Sequence, residues 1–297
     1  IKDTVKVFYD FTNDTASRLG LPMPAGVVRV YQTDSSGQVH ESDLRALAEL
    51  RRRGLHVSIC TGRMYSGTRE IARSVGVAGA VGCLDGSQVV DSSDDSSLAT
   101  HPIVAHAAEP LLDAIEEFDP ITFLFAQDSI LHDERGDALL PFVGLWSKRA
   151  VRLRRVLDPA HFQDKSSVAA LVSLGDEEQI RGAASRIFER VGDHIQIGFF
   201  SVARRDLDAD WGMVVRAAGV SKATALGRIA DHYGVSVEET VAVGDWVNDI
   251  SMLESAGRSF AMGQAPEEVK AAATDTLDAD SSTGGGIEEA ARRSGML

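Results

Sequence analysis

The stretch Val241–Leu253, VAVGDWVNDISML, carries the strongest fold signal in the chain. Its apolar run ends at Gly244 and predicts a short buried strand. Asp245 is the first polar side chain after that strand, and Asn248 and Asp249 fall at the start of the next helix. Because open parallel sheets bind ligands at the carboxyl ends of their strands, the segment predicts a polar site at such an edge.

The spacing of the polar residues in this segment suits a magnesium ion. Asp245 and Asp249 are two acids four positions apart, with Asn248 between them. Mg²⁺ prefers oxygen ligands and is held by few protein groups together with substrate phosphate. The alternative is a capped turn in which the helix dipole favours the acids. The segment alone leaves both interpretations open.

Strands and helices alternate in two parts of the chain. The first part contains a helix at Ser42–Leu50, the strand LHVSIC at 55–60, a helix around Arg69–Val75 and a strand at Ala80–Cys83. The second contains helices at Lys222–Tyr233, Asp249–Ala256 and Pro266–Ala273, and strands at Thr240–Val243 and Ser259–Met262. This alternation predicts an α/β fold with a parallel sheet covered on both faces.

The pattern of predicted strands and helices changes between these two parts. A polar turn, DSSDDSS, is followed by the apolar runs ITFLFA and VAALVSL, a helix at Asp176–Val191 and the run HIQIGFF. Long strands around few helices predict an α+β module inserted into the parallel core. The predicted division is an atypical β segment over 1–40, a core over 41–86 and 203–297, and an inserted domain over 87–202.

Two further segments have residues that can bind phosphate. Thr61, Gly62 and Arg63 follow a predicted strand, where a hydroxyl, the free N–H groups of a turn and a guanidinium can contact phosphate oxygens. Lys222 begins a helix after Ser221, and a lysine there can neutralise phosphate and steady a carboxylate nucleophile. A structural turn and a solvated lysine are the alternatives.

Taken in order, TGR, SKATAL and GDWVNDISML resemble motifs two, three and four of the haloacid dehalogenase superfamily, in its Cof-like sugar-phosphatase branch. The resemblance runs from about Glu41 to Leu297 and includes AMGQAPEEVKAAATD. It implies a Rossmann-like core with a cap inserted between motifs two and three. It also implies a Mg²⁺-dependent phosphatase that hydrolyses a small phosphorylated metabolite, such as a sugar phosphate, through an aspartyl-phosphate.

The same resemblance implies roles for individual residues. Thr61 would bind the transferring phosphoryl group, and Lys222 would stabilise it. Asp85, in CLDGS, occupies the place of the family's usual asparagine at the cap entrance. The implied substrate contacts are Thr61, Gly62, Arg63, Asp85 and Lys222. The implied metal residues are Asp245, which would ligate Mg²⁺, and Asn248 and Asp249, which would support the metal shell and the lysine.

The family's first motif, an early strand ending in Asp-x-Asp-Gly-Thr, has a poor counterpart here. Asp10 in VFYDFTNDT is the candidate nucleophile, and Thr12 stands in the position of the second acid. Losing that acid removes general acid/base help usually worth ~10² to 10⁴-fold. Ile1–Val39 is instead similar to part of a β-rich bacterial domain of unknown function, which would make Asp10 a residue on a surface strand.

The degenerate motif leaves three functions open. The leading hypothesis is the phosphatase. The second is a protein of the same fold that binds a phosphometabolite or metal without turnover, and the third is a phosphomutase.

The net charge, the length of the apolar runs and the placement of the cysteines indicate which partners and which cellular compartment to expect. The net charge of −14 argues against nucleic acid and anionic membranes, which need a basic face. No apolar run approaches the ~20 residues of a membrane span. Cys60 and Cys83 lie in apolar strand-like runs without CxxC spacing, which predicts reduced packing residues in a cytoplasmic protein.

Overall fold

A computed structural model describes residues 18–20, 39–163, 168–202 and 209–297 of the chain. Asp10 and the two N-terminal strands predicted at VKVFYDF and VVRVYQT lie outside these residues. The helices of the described part are α1 (Glu41–Arg52), α2 (Tyr65–Ser74), α3 (Ala105–Phe118), α4 (Leu140–Val143), α5 (Glu177–Val191), α6 (Lys222–Tyr233), α7 (Ile250–Ser255), α8 (Glu267–Ala272) and α9 (Gly286–Arg293).

Short strands make up the rest of the regular structure. They are β1 (Arg18–Gly20), β2 (Ala80–Cys83), β3 (Gln88–Asp91), β4 (Ser96–Thr100), β5 (Ile121–Ala126), β6 (Ser129–His132), β7 (Ala150–Arg152), β8 (Ala170–Gly175), β9 (Ile195–Ser201), β10 (Trp211–Ala217), β11 (Thr240–Gly244), β12 (Arg258–Ala261) and β13 (Asp275–Thr276). Predicted and observed bounds are the same for β2, β5 and α6 and differ by a few residues for the other observed elements that the sequence predicts. The sequence pattern predicts no bounds for β1, α3, α4, α9, β3, β4, β6, β7, β10 and β13.

The structure does not show the continuous strand that the sequence predicted over residues 55–60. In the described part of the chain this segment forms a single parallel bridge, Cys60 to Gly82, rather than a continuous strand. Gly82 donates its N–H to the Ile59 carbonyl, and Thr61 donates to the Gly82 carbonyl. The apolar pattern predicted burial correctly, but among the described residues strand pairing in this segment reaches only Cys60.

The described residues form two compact units. The core unit contains residues 18–20, 39–62, Thr68–Ala99 and Ser221–Leu297, and the insert unit contains Arg63–Gly67 and the described residues of Thr100–Val220. These limits lie beyond the predicted boundaries at 86 and 202. The reason is strand pairing: β3 and β4 extend the sheet begun by β2, whereas β10 pairs with β8 and β9.

The central sheet of the core unit has the strand order β1-β11-β12-β13. β11 and β12 are parallel, as are β12 and β13, while β1 runs antiparallel to β11. Every residue of β11 is buried. Apolar side chains of α6 and α7 join its buried cluster, including Leu226, Ile229 and Met252. This mixed sheet with parallel strands and helices confirms the predicted α/β class.

The insert unit is built on a six-stranded sheet, counted over its described residues, in the order β7-β6-β5-β8-β10-β9. The strands are antiparallel except for the parallel pair β6 and β7. Leu111 and Ile115 of α3 and Ile180 and Ile187 of α5 are fully buried in the same cluster as the inner face of the sheet. This unit therefore has the α+β character that the sequence predicts.

The two cysteines are buried, as their apolar surroundings in the sequence predict. Cys60 and Cys83 are free and buried. None of the helices in the described part of the chain combines the length and apolarity that crossing a bilayer requires.

A buried carboxylate joins the first and last helices of the core unit. Asp43 of α1 accepts hydrogen bonds from the backbone N–H groups of Gly285 (3.0 Å), Ile287 (2.9 Å) and Glu288 (3.3 Å). It is fully buried and satisfies donors at the start of α9 that have no partner within that helix. Burial raises the pKa of the Asp43 carboxyl, and the three backbone donors oppose that shift.

Replacing this carboxylate tests its contribution to stability. Asp43→Ala leaves buried N–H groups without an acceptor, so we expect it to lower the free energy of unfolding by about 2 kcal/mol. Urea denaturation of the full chain measures the loss. The matched control is Glu41→Ala, which removes only an exposed pair with Arg45 on the same helix and costs less than about 0.5 kcal/mol. Equal losses in the two variants would contradict the assigned role.

Candidate active site

The end of β11 is a tight turn that only glycine can form. Gly244 is followed by Asp245, which is 5% exposed, and by a 3-10 helix at Val247–Asp249 that leads into α7. A Cβ atom added at Gly244 would lie 2.6 Å from the Cβ of Asp249, closer than side chains approach in folded proteins. The glycine therefore lets the Asp249 side chain fold back over the end of the strand.

Asp249 uses both of its carboxylate oxygens within the protein. Oδ2 accepts the backbone N–H groups of Asp245 at 3.0 Å and Trp246 at 3.1 Å. Oδ1 accepts a hydrogen bond from Lys222 Nζ at 2.9 Å, and neither side chain is exposed to solvent. The family resemblance implied that Asp249 supports the metal shell and the lysine. Its contacts favour a positioning role, because it fixes both the turn that carries Asp245 and the buried lysine.

Lys222 begins α6, where Ser221 and Thr224 form a reciprocal cap at the helix start. The ammonium group is fully buried and lies 2.9 Å from Asp249 and 3.4 Å from Asp85. Burial lowers the pKa of Lys222 below its usual value, and the charge of Asp245 opposes that shift. A cation removed from water in this way is stable only with close carboxylate partners.

Asp85 links the lysine to the other predicted segments. It sits in a strained turn with φ 50°, and its N–H donates to the carbonyl of Thr61 at 2.9 Å. Asn248 Nδ2 donates to Asp85 Oδ1 at 3.0 Å. The next residue, Gly86, has φ +104°, and a Cβ there would lie 2.2 Å from the Ser221 carbonyl oxygen. This close approach brings the turn against the start of α6.

The structure brings together most of the residues predicted for the site. Thr61, Gly62, Asp85, Lys222, Asp245, Asn248 and Asp249 all belong to the core unit. Arg63 belongs to the insert unit, so its role as a substrate contact stays a prediction. The candidate nucleophile Asp10 lies outside the described residues.

Gln264 contacts the site, although the sequence did not predict a role for it. Its Nε2 donates to Asp245 Oδ2 at 3.2 Å, and its Oε1 accepts the Ser281 N–H at 3.2 Å. These two contacts fix the orientation of the amide. The signal was present, since Gln264 follows β12 closely, and neighbouring parallel strands present such residues at one edge of the sheet.

The donor chemistry of the site fits magnesium. Asp245 offers a hard carboxylate at the end of a strand, and Mg²⁺ needs only one or two such ligands beside water and phosphate. Across the described ranges, no group of three or more histidine, cysteine, aspartate or glutamate side chains is arranged to hold a metal ion. A complete coordination shell would therefore draw on water, substrate or residues outside those ranges.

The fold resembles that of solved hydrolase structures. A haloacid dehalogenase-like hydrolase from Bacteroides thetaiotaomicron superposes with a TM-score of 0.74 at 19% identity, covering 91% of this chain and 98% of that one. At 19% identity this similarity shows a shared fold and carries no information on activity.

Sequence comparison then gives the family. The family of haloacid dehalogenase-like hydrolases matches residues 33–290, and the chain belongs to it. Pyridoxal phosphate phosphatase YbhA of Escherichia coli (strain K12) is 25% identical over 239 residues, which are 78% of this chain and 84% of the relative. The 5-amino-6-(5-phospho-D-ribitylamino)uracil phosphatase YitU of Bacillus subtilis (strain 168) is 27% identical over 243 residues, 80% of this chain and 85% of that protein. The predicted family is thereby confirmed.

Replacing Asp249 with a neutral residue tests whether its buried ion pair with Lys222 stabilises the fold. Asp249→Asn keeps an acceptor for the backbone N–H groups but leaves Lys222 without its nearest carboxylate. We expect a loss of about 3 to 5 kcal/mol in the free energy of unfolding, measured by urea denaturation. The exposed Asp231→Asn on α6 is the control.

A second variant separates the ion pair from other effects of the substitution. Lys222→Met combined with Asp249→Asn removes both charges, so the double variant should lose less stability than the sum of the two single variants. Strict additivity of the three measurements would show that Asp249 and Lys222 do not stabilise one another.

Proposed function

We propose that this chain is a Mg²⁺-dependent phosphatase that hydrolyses the phosphomonoester of a small phosphorylated metabolite. The observation that carries the proposal is the buried lysine, Lys222, bonded to Asp249 at 2.9 Å beside the strand-end carboxylate Asp245. The two relatives are named for pyridoxal phosphate and a phosphoribitylamino-uracil, which are both small phosphomonoesters. A sugar phosphate is the substrate class that the sequence resemblance predicts.

The described residues supply electrostatic stabilisation of a transferring phosphoryl group. The Lys222 ammonium can balance charge on its nonbridging oxygens, and the Thr61 hydroxyl can donate to one of them. Magnesium held by Asp245 would supply a further positive charge when bound. Asn248, fixed by its bond to Asp85, orients the turn that follows Asp245.

Covalent catalysis requires a carboxylate nucleophile, and we propose Asp10 for that role. Its oxygen would attack phosphorus while the bond to the leaving oxygen breaks and that oxygen takes a proton from water, which releases the alcohol and leaves an aspartyl-phosphate. Water then attacks phosphorus, releases inorganic phosphate and restores the carboxylate. Thr12, in the position of the second acid, has no carboxyl group to assist either proton transfer.

Hydrolysis of p-nitrophenyl phosphate tests this assignment directly. We expect the wild type to be active only with Mg²⁺, and Asp10→Asn, Asp245→Asn and Lys222→Met each to lower kcat by about 10²-fold or more. Asp231→Asn, on the exposed side of α6, is the control and should keep wild-type activity.

Two outcomes would redirect the assignment. Full activity in Asp10→Asn with loss in Asp245→Asn would remove Asp10 as the nucleophile. An inactive wild type that still binds phosphate or Mg²⁺ would favour a non-catalytic binding protein. One observation supports that second function, because the family match begins at residue 33, after Asp10.

We expect Gln264 to affect the Mg²⁺ affinity of Asp245 rather than the rate of the chemical step. Gln264→Leu frees the Asp245 carboxylate to rotate, so we expect Mg²⁺ affinity to fall about 10-fold, measured by calorimetry. The value of kcat at saturating Mg²⁺ should change little. Gln163→Leu, an exposed glutamine of the insert unit, is the control. Unchanged Mg²⁺ affinity in Gln264→Leu would show that the amide does not position Asp245.

A further inference from the structure

Two histidines from distant parts of the insert unit meet at its surface. His106 lies in the first turn of α3, and His194 ends a 3-10 helix at Gly192–His194 just before β9. Both side chains are exposed, and their Nε2 atoms lie 3.3 Å apart. The rings are nearly perpendicular, with an interplanar angle of 88° and centroids 4.5 Å apart.

The distance between the two Nε2 atoms can be compared with that between two ligands of one metal ion. Two imidazole nitrogens that each lie about 2.0 to 2.1 Å from one tetrahedral metal ion are about 3.3 Å from one another. The separation of 3.3 Å between His106 Nε2 and His194 Nε2 is therefore that of two ligands of a single ion. In the absence of an ion, the same distance allows a hydrogen bond from a protonated nitrogen of one ring to an unprotonated nitrogen of the other.

We propose that His106 and His194 form a surface site for a divalent transition-metal ion such as Zn²⁺, Ni²⁺ or Cu²⁺. Imidazole suits these ions, whereas Mg²⁺ and Ca²⁺ prefer oxygen. In the described ranges no third histidine, cysteine or carboxylate completes a cluster here. The ion therefore keeps open positions for water or for a ligand from solution, and the site is separate in its chemistry from the oxygen site at Asp245.

The scaffold fixes the backbone positions that carry the two rings before any ion binds. Ala107 and Ile195, which follow the histidines in sequence, are buried in one hydrophobic cluster. The carbonyl of His194 accepts the N–H of Ala218 at 2.9 Å, which ties this turn to the residue after β10. A prearranged pair of ligands binds with a smaller entropy cost than two mobile side chains.

Metal binding would also connect elements that are far apart in sequence. His106 and His194 are 88 positions apart and join the start of α3 to the start of β9, the last strand in the order of the insert sheet. An ion that binds only the folded state stabilises that state by mass action. Zn²⁺ should therefore raise the melting temperature of the wild type.

Copper spectroscopy on the full chain, with Mg²⁺ present in excess, tests the site. We expect electron paramagnetic resonance of one equivalent of Cu²⁺ to report two nitrogen ligands in the wild type and one in His106→Ala or His194→Ala. Zinc calorimetry should show the affinity falling about 10-fold or more in each variant. All eight histidines of the sequence lie in the described ranges, and His161→Ala in the same unit is the matched control.

The same measurements can overturn the proposal. A two-nitrogen spectrum that persists in both His106→Ala and His194→Ala would place the copper elsewhere, as would oxygen ligands alone in the wild type. An equal loss in His161→Ala would reduce the result to nonspecific binding. Because both histidines are exposed, the variants should fold, and unchanged circular dichroism with an unchanged melting temperature in chelator verifies this.

Discussion

The buried carboxylate of Asp249 is the constraint on which the rest of the site depends. One oxygen closes the turn after β11 through two backbone N–H groups, and the other holds Lys222. Removing an ammonium and a carboxylate from water is costly, and the cost is offset only when geometry and hydrogen bonding are good. The lack of a side chain at Gly244 gives Asp249 the space to meet both demands.

Four separate chain segments converge around this pair. Thr61 follows an extended segment, Asp85 sits in a turn after β2, Lys222 starts α6, and Asn248 follows β11. Backbone and side-chain hydrogen bonds through Asp85 connect three of these segments to the lysine. Asp85 follows β2 and Asn248 follows β11, which belong to different sheets, so side-chain bonds rather than one sheet edge join these segments.

Local pattern predicted the helices and buried strands of the core well, although it missed α3 of the insert unit. The apolar spacing of α6 and its caps, Ser221 and Gly234, are local features, so the bounds of this helix follow from the sequence. The limits of the two units depend on which strands pair, and the role of Asp43 depends on contacts with Gly285 across 242 positions. The family resemblance implied that Asp249 supports the lysine, but the two backbone N–H groups that its other oxygen accepts became visible only in the structure.

Charge balance gives a physical reason for a cation in this site. Among the described side chains, the carboxylates of Asp85, Asp245 and Asp249 surround the single ammonium of Lys222. Asp85, where the family resemblance expects a neutral asparagine, adds one of these negative charges. A phosphate group brings further negative charge, which repels carboxylates strongly at low dielectric. A divalent cation on Asp245 would offset that excess, and this electrostatic requirement supports the proposal of magnesium independently of any family resemblance.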